Sequence, residues 1–210
     1  QPLTLAGTYP TAFAVSPKVG VTTFAEYVAW LKAGEPDRDR VGTTTPGSFT
    51  QYFGIALGRE IGVALKSVPY RGARPLLADL EQGRIPAGTG GITSFLTAHR
   101  AGQLRLLAIS AARRIAAAPA VPTVGELGFP KLEQSGWYAF FAPPDMTPPL
   151  VEAWTAALHA AIESREVSEQ LLQLGFAVET STPAELAARL VADFRTWRGM
   201  LDSLGLKLAN

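Results

Sequence analysis

The chain has 210 residues, with 19 Lys and Arg against 18 Asp and Glu, a formal charge of +1 and 47% apolar residues. That near balance, with no long basic block, excludes a dedicated nucleic-acid binder, whose affinity rests on many phosphate contacts; the apolar share excludes a disordered chain. Cysteine is absent, which removes disulfides, thiolate metal sites and cysteine nucleophiles together.

The length fits one large domain or two small ones, at roughly 100 to 200 residues per domain. The first half alternates short β-rich runs with amphipathic helical stretches. A strand is expected over 9–16, bounded by Pro10 and Pro17, and Thr23 with Glu26 forms a capping box that opens a helix through Tyr27, Trp30 and Leu31. A charged connector, 37–40, leads into Val41, and 48–61 reads as a helix with Phe49, Tyr52, Phe53 and Leu57 along one face. Strands follow at 64–68, 85–89 and 104–110, separated by helices at 73–82 and 92–101 that close on Gly83 and Gly102. Units of this length with short connectors predict a largely parallel sheet covered on both faces.

The second half differs. An aromatic extended run, 136–142, is followed by Pro143, Pro144, Pro148 and Pro149, and then by helices at 150–164 and 167–174, a short strand at 176–179 and a long helix opened by Thr182, Pro183 and Glu185. Three helices and one strand cannot build a sheet alone, so this part is expected to pack on further structure or on another chain. No apolar stretch approaches the ~18 residues needed to cross a bilayer. The chain starts at Gln1 with no charged segment leading into an apolar one, so any export signal is expected to be removed or to lie outside this sequence.

Catalytic constellations are missing. His99 and His159 stand on separate helices with no HExxH spacing, no GxSxG elbow occurs, and the carboxylates sit on connectors or solvated helix faces. The strongest local signal is Gly42, Thr43, Thr44, Thr45, Pro46, Gly47, Ser48, between a strand and a helix. Its glycine spacing imitates a phosphate loop, but Ser48 stands where the lysine would be, so a triphosphate would go unneutralised. Hydroxyls and N–H groups at a helix N-terminus suit a smaller anion such as a carboxylate. The same residues also read as a turn that caps a helix, and both readings stand. Tyr70 and Arg71 lie in a second strand-to-helix loop at the same expected sheet edge. Gly88, Thr89, Gly90 and Gly91 form a third, whose glycines let a backbone come close to something small.

Several phrases together resemble the Bug-type receptors, the extracytoplasmic solute-binding proteins of tripartite tricarboxylate transporters. They are VSPKV after the first strand, GTTTPGS, VPYRGARPLLADLEQGRI, AGQLRLLAISAARR, PAVPTVGELG, WYAFFAPPDMTPPLVEAW, and a Thr/Pro-initiated last helix ending in LGLKL. The resemblance implies an α/β fold of the type 2 periplasmic-binding kind, two hinged lobes around a cleft, no enzyme activity and no cofactor. Within it the chain looks like the downstream two thirds: residues 1–135 one complete lobe, and 136–210 a crossing strand with the helical part of the other. The ligand-binding set on this reading is Thr43, Thr44, Gly47, Ser48, Tyr70, Gly88, Thr89 and Trp137. The family's histidine after the loop is Gln51 here, its Pro-Tyr-Lys-Gly is Pro69, Tyr70, Arg71, Gly72, and its acidic positions align with Pro86 and Gly90. Loss of those carboxylates disfavours a ligand carrying an ammonium group. The implied partners are a small carboxylate and membrane permease subunits, with a dimer through the incomplete lobe as a further option, and the implied location is the periplasm. The alternative is the effector domain of a cytoplasmic transcription regulator, which shares this lobe architecture.

Overall fold

A computed structural model describes residues 1–203; the LGLKL phrase lies outside the described residues. The chain divides into two units, Tyr9–Gly136 and a smaller one formed by Gln1–Thr8 with Trp137 onward. The N-terminal boundary differs from the expected 1–135, because the first strand continues past it. Strand β1 runs Pro2–Val15 and contributes to both units. Pro10 does not end it: the ladders to its neighbours begin only at Thr11 and Ala12, so the missing proline N–H removes no bond from either.

In the larger unit β1 is followed by α1 (Phe24–Lys32), β2 (Arg40–Thr43), α2 (Phe49–Glu60), β3 (Lys66–Pro69), α3 (Ala73–Gln82), β4 (Ala87–Gly91), α4 (Ile92–Arg100) and β5 (Arg105–Ile109). The predicted capping box forms at α1, where Glu26 N–H donates to Thr23 Oγ1 and Glu26 accepts back from the Thr23 N–H. The sheet order is β3-β2-β4-β1-β5. Strand β2 pairs in parallel with both β3 and β4, whereas β1 is antiparallel to β4 and β5. The sheet is therefore parallel apart from the one strand that enters from the other unit.

Alternation along β1 separates two cores. Ala12 and Ala14 face a cluster built with Leu76 and Leu80 of α3 and Phe95 and Leu96 of α4. Phe13 and Val15 face Phe24, Tyr27, Phe53 and Leu57 of α1 and α2. Phe13 is fully buried with ring centroids 5.0 Å from Tyr27 and 6.1 Å from Phe24, a contact worth about 0.5–1.5 kcal/mol per pair beyond area burial. On the opposite face short side chains do the work. A Cβ at Gly42 would collide with Leu76 Cδ1 and lie 3.0 Å from Tyr70 Cε2, and one at Gly88 would lie 3.2 Å from Leu76 and Leu80 methyls. Helix α3 closes on the sheet because β2 and β4 present glycine beneath it.

The smaller unit contains β6 (Ser135–Phe141, which starts in the larger unit and pairs β1), α5 (Pro148–Ile162), α6 (Arg165–Gln173) and α7 (Pro183–Ser203). The expected strand at 176–179 is reduced to one bridge, Thr8 with Ala177, closed by two backbone bonds of 2.8 and 2.9 Å. A buried polar knot holds this unit. Thr4 Oγ1 donates its only hydrogen to Leu5 O (3.0 Å), accepts the Ser181 N–H (3.0 Å) and faces His159 Nε2 at 2.9 Å. The imidazole hydrogen must then sit on Nε2, shared with Ser181 O at 3.1 Å. His159, expected on a helix surface or half-buried, is half-buried and ties α5 to β1. Among the described residues no helix is long and apolar enough to cross a membrane.

Gly42→Ala tests the closure of α3. The added methyl is expected to lower stability by about 1–3 kcal/mol through overpacking, seen as a lower urea midpoint at unchanged slope. An unchanged midpoint would mean that α3 is not seated as described.

Candidate ligand site

In open α/β sheets ligands sit outside the carboxyl ends of the strands, at the point where successive connections turn in opposite directions. Here that point is the carboxyl end of β2: the chain passes from β2 to β3 on one side and from β3 to β4 on the other. The register brings the three ends level, with Thr43 opposite both Pro69 and Thr89. Backbone bonds then knit the loops together. Tyr70 N–H donates to Thr43 O (2.9 Å), Gly72 N–H to Thr44 O (3.1 Å) and Thr44 N–H to Thr89 O (3.3 Å).

Thr45, Pro46, Gly47 and Ser48 form a turn closed by Ser48 N–H to Thr45 O at 3.2 Å, with Gly47 at φ +76°. Proline at the second position and a left-handed glycine at the third make it type II. Ser48 is the N-cap of α2 by backbone conformation, but its side chain caps no helix N–H. Instead its hydroxyl donates to Thr45 O (2.6 Å) and lies 2.9 Å from Thr50 Oγ1, which in turn lies 3.1 Å from Thr43 Oγ1. Each hydroxyl has one hydrogen. The Ser48 hydrogen is on Thr45 O, so Thr50 donates to Ser48 and Thr43 donates to Thr50. The chain has one direction, and it leaves no hydroxyl hydrogen of the three for a guest.

The N–H groups are different. Gly47 N–H is held by the side-chain oxygen of Gln51 at 2.7 Å, on an exposed stretch. The Thr45 and Thr50 N–H groups make no hydrogen bond among the described residues. Thr45 and Gly47 are exposed, and Thr44, Ser48 and Thr50 are half-buried. The positive end of α2, equivalent to about half an elementary charge, lies beneath them. Arg71, in the loop bonded to Thr44 through Gly72, is exposed and makes no bond with any described residue. The edge is thus electropositive and offers amide hydrogens rather than hydroxyls.

The other expected site residues distribute unevenly. Tyr70 is half-buried, its ring against Gly42 and its hydroxyl donating to Asp79 Oδ2 of α3 at 2.8 Å. Burial first, and this bond second, push its hydroxyl pKa up to about 12. Gly88 and Thr89 lie inside strand β4, not in a loop, since the helix α4 starts directly after Gly91. Gly88 faces α3, and Thr89 is buried, its carbonyl accepting the Thr44 N–H and its hydroxyl donating to Gly42 O at 3.4 Å. Trp137 lies in β6 of the smaller unit, where its indole N–H donates to Asp193 of α7. Of the two family acidic positions, Pro86 uses its carbonyl to accept Ser16 N–H (2.8 Å), and a Cβ at Gly90 would lie 2.9 Å from Phe95 Cζ and 3.0 Å from Thr44 Cγ2. A carboxylate has no room at position 90. Thr50 and Asp79 escape a reading of the sequence, since a lone threonine one turn into a helix carries no signal of its own. Among the described residues no group of His, Asp and Glu is arranged to hold a metal ion.

A sheet of this order, with a ligand-suited edge and one strand borrowed from a second unit, is the architecture of a periplasmic solute-binding protein. A solved structure described as a periplasmic transporter superposes with a TM-score of 0.92 at 28% identity, covering 100% of this chain and 69% of that one. The chain belongs to the tripartite tricarboxylate transporter family of receptors, whose model matches residues 1–206. BugT of Bordetella pertussis is 28% identical over 207 residues, which is 99% of this chain and 63% of the relative. MatC of Rhodopseudomonas palustris, solved with bound malate, is 25% identical with a TM-score of 0.83, covering 95% of this chain and 69% of that one. The chain thus spans about two thirds of the length of the proteins it matches.

The Tyr70 bond to Asp79 gives a pH test. Its folded pKa is raised above the usual tyrosine value of 10, so its contribution to stability is full below pH 10 and is lost as pH rises from 10 toward about 12. Tyr70→Phe is expected to flatten the loss of stability in that window, measured by urea unfolding at pH 9, 10 and 11. Identical slopes in both proteins would rule out a protonated Tyr70 at this position.

Proposed function

We propose that this chain is the ligand-binding part of a receptor that captures a small organic carboxylate for a tripartite tricarboxylate-type transporter. The observation that carries this reading is the pair of unbonded amides, Thr45 and Thr50, beside the Gly47 amide at the N-terminus of α2. A carboxylate oxygen is the natural guest for such amides, and each charge-assisted bond contributes roughly 1.5–3 kcal/mol. Three of them approach the ~8 kcal/mol of a micromolar complex before ordering costs are subtracted. The malate bound by MatC supports this substrate class. In this reading Thr43 and Ser48 act through the shape of the turn, Tyr70 and Gly88 through packing beneath it, Thr44 and Thr89 through the backbone bond that fixes the loop, and Arg71 supplies long-range attraction.

The remaining roles follow from family membership. The receptor would work in the periplasm and deliver its ligand to membrane permease subunits. A second copy pairing through the smaller unit is a further possibility, which light scattering would read as a doubled mass.

Gln51 gives a sharp test because its side-chain oxygen already stands where a ligand oxygen would bind. Gln51→Glu places a carboxylate on the Gly47 amide and is expected to weaken malate binding in calorimetry at least tenfold, through competition and like-charge repulsion. Gln51→Ala, which only vacates the amide, is expected to stay within about threefold of the parent. Equal affinity in the Glu variant would move the site away from this turn.

A further inference from the structure

Strand β1 does not stop where its ladder with β4 stops. That ladder ends at Thr11 opposite Gly91, which is the last residue of β4 and the N-cap of α4. Tyr9 stands two residues further along β1, past the carboxyl end of β4, on the edge that carries the Thr44 and Tyr70 loops. Its ring packs on two backbones of the larger unit. A Cβ at Gly91 would lie 3.0 Å from Tyr9 Cε2 and 3.3 Å from Cδ2, and one at Gly136, in β6, would lie 2.7 Å from Cζ and 2.9 Å from the hydroxyl oxygen. A methyl group at either position would press on the ring, so the ring uses space that glycine leaves open. Seated between two backbones it has little freedom to swing away, yet Tyr9 is only half-buried.

The ring bounds one end of this edge. The other end is bounded on the β3 side, where the Tyr70 loop is fastened to the Thr43 and Thr44 carbonyls. Between them lies the end of β4, whose last two residues, Gly90 and Gly91, carry no side chain. Neighbouring strands are about 4.8 Å apart, so the ring over Gly91 stands roughly one strand spacing from the end of β2. We infer, on the reading of the α2 entrance as the carboxylate site, that Tyr9 is a specificity-determining residue of this edge. A guest whose carboxylate rests on the Thr45, Gly47 and Thr50 amides extends along the edge toward Tyr9. The ring is the wall that admits a short acid such as malate and turns away a longer unbranched diacid such as adipate. It acts by its bulk, so the six-membered ring matters and the hydroxyl does not.

Calorimetry of the whole 210-residue chain with malate and with adipate tests this, read as the ratio of the two affinities. The parent is expected to prefer malate. Tyr9→Phe keeps the ring and is expected to hold the ratio within about twofold. Tyr9→Ala is expected to move it toward adipate by roughly tenfold or more, the discrimination that a methylene group carries in a close-fitting pocket. Tyr9→Leu keeps apolar bulk on Gly91 and Gly136 and is expected to move the ratio the same way by about threefold, which decides the matter should the alanine variant not fold. Loss of both affinities in equal proportion would make Tyr9 a structural plug and overturn the inference. So would a shift in Tyr9→Phe as large as that in Tyr9→Ala, and so would a parent that prefers adipate, although the carboxylate site would then stand. A parent that binds neither acid would overturn the reading of the α2 entrance and this inference with it.

Discussion

The parallel pairing of β2 with β3 on one side and β4 on the other sets everything at the candidate site. It levels three carboxyl ends, and with them the loops that carry Thr44 and Tyr70 and the direct junction of β4 with α4 at Gly91. Parallel neighbours need crossover helices, and α2 and α3 supply them on opposite faces. Helix α3 can lie close only because Gly42 and Gly88 have no side chain beneath it. Tyr70 then fills the space over Gly42 and fixes itself to α3 through Asp79. The electropositive edge is a consequence of packing on the far side of the sheet.

Hydroxyl groups at that edge play a part different from the one their positions suggest. A Thr, Thr, Ser arrangement at a helix entrance looks like a set of donors, but Thr43, Thr50 and Ser48 satisfy one another in a chain that ends on the Thr45 carbonyl. Such a chain stiffens the turn and uses neither the Thr45 nor the Thr50 amide, which stay without a partner among the described residues. A stiff turn with free amides loses little freedom on meeting an anion, which is the general advantage of preorganisation. Gln51, neutral and one turn into the helix, keeps the third amide occupied until something better arrives.

Much of this was legible in the sequence. The helices at 48–61 and 73–82, the capping box at Thr23, the Pro-Gly turn and the strand-to-helix placement of the Gly42 and Tyr70 loops all follow from local chemistry, because each depends on residues within a few positions of one another. What local chemistry could not supply was contact between distant segments. Strand β1 runs through Pro10 because its partners start just beyond it. Gly88 and Thr89 read both as the end of a strand over 85–89 and as the start of a glycine-rich loop, and neighbours on both sides draw them into the middle of a sheet. The strand expected near 176 shrinks to one bridge, in which Thr8 alone among the described residues pairs with Ala177. His159 showed no partner until the fold brought Thr4 and Ser181 to it across 155 and 22 positions of chain.

The central claim is that amide hydrogens at the entrance to α2 receive a negatively charged guest. A backbone amide NMR titration with malate measures those hydrogens directly. The account predicts the largest shifts at Thr45, Gly47 and Thr50, saturating together, with Ser48 and Thr44 moving less because their amides are bonded to backbone carbonyls, whereas the Gly47 amide is held by the displaceable Gln51 side chain. Saturable binding whose shifts leave these three amides untouched would contradict it.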